Sequence, residues 1–183
     1  TSNNGITGTW NPEFASNTNS GSYVFTPNNP AQCGTPFTYN LTVNANVTPT
    51  FTLPAQICQN TTAPNLPNTS NNGINGTWNP AVANNTSSGS YVFTPTSNAN
   101  CEVSFTYNLI VNPNITPSFT LPTQICQNTT APILPTTSDN GITGTWNPAV
   151  ASNTASGTYV FTPNNPSQCG TPITYNLNVS PSF

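Results

Sequence analysis

Five cysteines are the only side chains in this 183-residue sequence that offer redox or soft-metal chemistry, and their spacing is regular. Cys33, Cys101 and Cys169 recur at one fixed interval, and Cys58 and Cys126 keep the same interval. Cys58 precedes Cys101 by as many positions as Cys126 precedes Cys169. Residues of this type support either disulfides or zinc binding. Zinc ribbons use close-spaced cysteine pairs or histidines, and this chain has neither. The spacing therefore predicts one disulfide inside each complete repeat, Cys58–Cys101 and Cys126–Cys169. Cys33 is left unpaired because its counterpart falls before position 1. Closing a loop as long as Cys58 to Cys101 stabilises by about 4 kcal/mol in the chain-entropy model. Disulfides also point to an oxidising compartment, outside the cell.

Other chemistry is missing. General acid–base or nucleophilic catalysis needs a proton carrier or an activated nucleophile, and the chain has no His, Lys or Arg. Its three acidic residues fall at unrelated repeat positions: Glu13 aligns with Ala81, Glu102 with Gly34 and Asp139 with Asn71. No carboxylate pair recurs, so the sequence predicts neither an enzyme, nor a calcium site, nor any other cofactor. Without cations there is nothing to neutralise phosphates or anionic lipid headgroups, which excludes nucleic acid as a partner. No stretch of apolar residues is long enough to span a bilayer, so membrane insertion of this segment is not expected.

The period that organises the cysteines organises the whole chain. Trp10, Trp78 and Trp146 stand at the same interval, each within a Gly-Thr-Trp-Asn-Pro stretch, and they are the expected core anchors. The chain divides into a partial repeat (1–47) that lacks its first strands and two full repeats (48–115 and 116–183). Hydrophobic content of 33% and aromatic content of 10% at fixed positions argue for packed cores rather than disorder.

Within a repeat, Val103, Phe105, Tyr107, Leu109 and Val111 alternate with polar residues or Ile110, the pattern of a half-buried strand. Tyr91 and Phe93 share one face of a shorter strand that stops at Pro95, and the loop carrying Cys101 joins the two as a hairpin. Ile74 and Trp78 lie on one side of an earlier strand that ends at Pro80. The proline-bearing segment Phe51 to Asn60 suits an edge strand or one that switches sheets. Short proline-bearing linkers, Asn44 to Pro49 and Asn112 to Pro117, should join neighbours stiffly. Short strands between Gly, Pro and Asn turns, with no helical periodicity, predict an all-β chain. The expected fold is a tandem array of immunoglobulin-like β-sandwich repeats of roughly 68 residues each, forming an extended rod.

The recurring Gly-Ile-Thr-Gly-Thr-Trp-Asn-Pro (5–12 and 141–148), the Gly-Ser/Thr-Tyr-Val-Phe-Thr-Pro stretch and the Cys-bearing hairpin resemble tandem immunoglobulin-like repeats of giant cell-surface adhesins in the Bacteroidota. That group includes the SprB-like mobile adhesins of gliding motility, exported by the type IX secretion system. The resemblance covers the whole chain. It implies an extracellular, cell-surface location, an extended filament and contact with a substratum. The expected function is a structural segment of such a filament or adhesin stalk. Its partners are the neighbouring repeats, and beyond them other filaments or surface polysaccharide. Two alternatives remain open: a polymerising subunit whose partial first repeat is completed by a donated strand, or repeats that themselves bind polysaccharide.

Overall fold

The computed structural model describes residues 1–181 and is built almost entirely of strands and turns. Ser182 and Phe183, the end of the expected third repeat, lie outside the described residues. Among the described residues, eleven strands form three sheets. The first contains β1 (Gly8–Asn11), β2 (Gly21–Pro27) and β3 (Phe37–Leu41), in that order. The second contains β4 (Gln56–Cys58), β5 (Gly76–Asn79), β6 (Gly89–Pro95) and β7 (Phe105–Asn112), ordered β4-β7-β6-β5. The third contains β8 (Gln124–Cys126), β9 (Gly144–Asn147), β10 (Gly157–Pro163) and β11 (Ile173–Ser180), ordered β8-β11-β10-β9. All pairings are antiparallel except β4 with β7 and β8 with β11, which are parallel.

The alternation read from the sequence sets the faces. Along β6, Tyr91 and Phe93 are buried while Val92 faces outward, and β6 ends at Pro95, which has no N–H for the ladder. Along β7, Tyr107 and Leu109 are buried and Ile110 is exposed. Register then stacks the rings. Trp78 lies opposite Phe93, Phe93 opposite Phe105, and Tyr91 opposite Tyr107. One face of the sheet is thus an aromatic ladder, with ring centroids 5.2 Å apart for Trp78 and Phe93 and 5.9 Å for the two tyrosines.

That face is covered by the irregular segment from Phe51 to Leu66, whose only strand is β4. Phe51 sits 4.9 Å from Trp78, 4.8 Å from Phe93 and 5.3 Å from Phe105, centroid to centroid. The polar tips of the ladder hold the cover in place through proline carbonyls. Trp78 Nε1–H donates to the carbonyl of Pro67 at 2.8 Å, and the Tyr107 hydroxyl donates to that of Pro54. The third unit repeats these bonds from Trp146 to Pro135 and from Tyr175 to Pro122, with Phe119 in the place of Phe51. The proline-bearing segment is indeed an edge strand, short and parallel.

The linkers are hydrogen-bonded to the units they precede. Val47 donates its N–H to the Cys101 carbonyl at 3.0 Å and accepts from Val103 N–H at 3.0 Å. Ile115 does the same with Cys169 and Thr171, at 2.8 and 2.9 Å. Pro49 is fully buried, and Asn72 clamps the linker by accepting from Thr50 N–H and donating to the Thr48 carbonyl.

Close packing under the ladder leaves room only for hydrogen at Gly76 and Gly144. A methyl group on Gly144 would sit 2.5 Å from both Phe161 Cζ and the Thr162 carbonyl oxygen, with little space for either to yield. Gly144→Ala is therefore expected to cost about 1–3 kcal/mol, read as a lower urea midpoint. Gly73→Ala tests a separate cause, since Gly73 stands in open space but at φ +81°, where the penalty is backbone strain.

Candidate functional site: a disulfide between units and an uncovered aromatic face

Cys58 is bonded to Cys169, 111 residues away and in the next unit, with Cα atoms 5.3 Å apart, inside the usual disulfide range. This corrects the pairing expected from spacing. Neither Cys58–Cys101 nor Cys126–Cys169 is formed, and Cys33, Cys101 and Cys126 carry free thiols.

The reason lies in which end of the neighbouring strand each cysteine sits beside. β4 runs parallel to β7, with Cys58 opposite Asn112, the last residue of that strand. Cys101 precedes Phe105, the first residue of β7. Seven steps of about 3.3 Å put these two poles roughly 23 Å apart, far beyond disulfide reach. The same holds for Cys126, opposite Ser180 at the end of β11, and Cys169, which precedes its start at Ile173. Across the junction the distances are short. The chain leaves β7 at Asn112, just before Ile115, whose N–H binds the Cys169 carbonyl. The strand-end cysteine of one unit therefore meets the turn cysteine of the next. Cys58 Sγ also lies 3.1 Å from the Pro166 carbonyl oxygen, a contact and not a hydrogen bond, because the bonded sulfur has no proton.

The turn that carries Cys169 is built locally. Asn165 caps the 3-10 turn Pro166–Gln168 by accepting from Ser167 N–H, and Cys169 follows in the left-handed region at φ 52°. Gln168 anchors the turn to the sheet, accepting from Thr143 N–H at 3.0 Å and donating to the Gly141 carbonyl at 2.8 Å. Gln32 does the same for Cys33 through Thr7 and Gly5. The sequence reading passed over these glutamines. Their signal is the Asn-Pro-x-Gln-Cys-Gly that occurs at both 29–34 and 165–170.

The tryptophans divide. Trp78 and Trp146 are buried at 5% and 6% exposure, as expected of core anchors, but Trp10 is 39% exposed. Trp10 still packs on Phe25 and Phe37, yet among the described residues none lies over it as Phe51 lies over Trp78. Phe37 and Tyr39 are exposed with it, and Trp10, Phe25 and Phe37, together with Pro27 and Cys33, border an open groove of about 630 Å³. The edge beside it is open too. β3 stops at Leu41, whereas β7 continues to Asn112; the extra residues Ile110–Asn112 are those that pair with β4, and their equivalents Thr42–Asn44 have no such partner strand among the described residues.

Charge contributes little. Glu102 accepts from the backbone and side-chain N–H groups of Asn100, which hold its carboxyl below the ordinary value of 4.5. Asp139 accepts from Thr120 Oγ1–H at 2.8 Å, where the equivalent Asn71 donates to Thr52 Oγ1 at 2.9 Å, so the contact survives the exchange by reversing its donor. Burial, then the neighbouring Tyr91, raises the Tyr107 phenol above 10.0; burial and Tyr159 do the same for Tyr175. Among the described residues, no helix is long and apolar enough to cross a membrane. No protein-family model matches the chain, and no curated protein is significantly similar to it.

Two outcomes follow. Trp78→Ala should cost about 3–5 kcal/mol and Trp10→Ala much less, because only the first opens a closed core; urea unfolding of the two variants compares them directly. The raised tyrosines contribute stability that is full below about pH 10 and lost as pH rises through their folded values, while Glu102 contributes above its unfolded value and loses this under acid. Unfolding free energy should then be flat from about pH 5 to 9 and insensitive to salt, with a decline only in more alkaline or acidic solution. A steep change inside that window would overturn the assignment.

Proposed function

We propose that this chain is a structural segment of an extracellular filament or adhesin stalk, assembled from tandem immunoglobulin-like sandwich units, that supports surface attachment or gliding motility. The observation that carries the reading is the disulfide from the strand end of one unit to the turn of the next. A covalent bond at a junction fixes the angle between neighbours, which a spacer needs and a freely jointed chain of binding modules does not. The buried Pro49 and the hydrogen-bonded linkers support the same reading, as does a surface kept polar by Asn, Thr and Ser with only three acidic side chains. The resemblance of the Gly-Thr-Trp-Asn-Pro and Tyr-Val-Phe-Thr-Pro stretches to giant Bacteroidota adhesins points to export and a cell-surface location, with which a disulfide is compatible.

Negative-stain images of the purified chain test this. Rods whose length grows by about 30–40 Å per unit, the strand span plus loops, are expected. Compact globules or a collapsed coil would rule the spacer out.

A second reading is favoured by one specific observation, the exposed aromatic side chains of Trp10, Phe37 and Tyr39 beside the open edge at Thr42–Asn44. In that reading a segment like Phe51–Cys58, donated by another chain, completes the first unit. A synthetic peptide of residues 51–60 should shift Trp10 fluorescence to the blue and saturate if the groove accepts it, and leave the spectrum unchanged if it does not.

A further inference from the structure

The disulfide follows a rule that also accounts for the thiols left free. Cys58 bonds to the cysteine 111 residues downstream, one full period plus the spacing within a repeat. Applied to Cys126, the same step runs past residue 183; applied backwards from Cys33 and Cys101, it runs before residue 1. These three are the free cysteines. A bond inside each unit would have left Cys33 alone.

The free thiols also match the bonded ones locally. Cys126 ends a three-residue edge strand opposite the last residue of β11, as Cys58 does opposite the last residue of β7. Its carbonyl accepts from the Thr129 hydroxyl at 2.6 Å, as that of Cys58 does from Thr61. At the opposite pole, Cys33 follows a 3-10 turn capped by Asn29 and stands at φ 49°, beside 52° for Cys169 in its own turn. Both Cys126 and Cys33 are exposed.

We propose that Cys126 is a covalent joint for the turn cysteine of a further unit of this kind, formed as Cys58–Cys169 is formed, and that Cys33 presents such a turn to the Gln-Ile-Cys strand end of another unit. The proposal rests on the reading of the chain as a filament. In the joining step two thiols lose two protons and two electrons as one S–S bond forms. A low-molecular-weight disulfide such as oxidised glutathione accepts them and leaves as two thiols. The turn can come from a unit in the same polypeptide or from the first unit of a second copy, and the two are separable by experiment.

In the first arm, the purified chain is held in a glutathione redox buffer and resolved by non-reducing electrophoresis. Multimers joined by Cys126–Cys33, mapped by mass spectrometry after chymotryptic digestion, are expected. Cys126→Ser and Cys33→Ser should each abolish them, while Cys101→Ser leaves them in place. In the second arm, native protein is extracted with thiols blocked and mapped in the same way. A turn cysteine of the same polypeptide on Cys126 identifies a tandem array, and Cys33 of another copy identifies discrete subunits; either supports the joint. Cys126 found free in the native protein, or bonded to Cys169, overturns it. Rods seen by microscopy without these bonds would overturn the joint and leave the filament reading intact. Globules carrying the bonds would do the reverse.

Discussion

The parallel pairing of a three-residue strand with the far end of β7 is the contact on which the rest of this molecule depends. Gln56, Ile57 and Cys58 lie beside Ile110, Val111 and Asn112, and nothing else in the sheet engages them. That placement draws the preceding segment across the aromatic ladder, where Phe51 closes over Trp78 and Phe93. It also delivers Cys58 to the pole at which the chain departs for the next unit. Core closure and junction chemistry are two results of one register.

With so few charges, the molecule relies on contacts that water and salt compete with differently. Tryptophan and tyrosine tips donate to proline carbonyls, and Asn and Gln side chains tie turns to neighbouring backbone. Among the described residues, no buried side-chain N or O atom lacks a partner. Neutral hydrogen bonds each contribute about 1 kcal/mol, so the aromatic ladder and its cover carry most of each unit, and the amides specify where the loops rest. Asn71 and Asp139 illustrate how loosely charge itself is held: the same threonine contact is kept with either side chain.

Much of this was legible in the sequence. Alternation over Tyr91 to Phe93 and Phe105 to Val111 gave the hairpin and its buried face, because a period of two is a local property of a strand. The edge character of Phe51–Asn60 followed from proline, again locally. What the sequence withheld was direction. Nothing in a strand as short as Gln-Ile-Cys specifies its direction or which end of its neighbour it joins, and a constant repeat interval allows a bond within a unit or to the next one equally. Trp10, an expected core anchor, is partly exposed for a related reason. Burial of these tryptophans depends on a covering segment well before each in sequence, carrying Phe51 for Trp78 and Phe119 for Trp146, and among the described residues none covers Trp10 in that way. The glutamines that brace the cysteine turns were missed because their partners, Gly5 and Thr7 or Gly141 and Thr143, stand far from them along the chain, on another strand or turn.

The bond between Cys58 and Cys169 also changes how a pull would travel through the molecule. Tension entering at Thr1 reaches Cys58, crosses the two sulfur atoms and continues from Cys169, so the residues between them form a slack loop. Strands β5 to β10 lie within that loop and off the direct path while the sulfur bridge is intact, whereas Phe51 and β11 lie on it. A break in the backbone anywhere between Cys58 and Cys169 would leave the two ends of the chain still tied. In a series of such bridges, each starting before the last has ended, every peptide bond would have a covalent bypass. An assembly linked in that way would keep its length after a cut or a locally unravelled sheet.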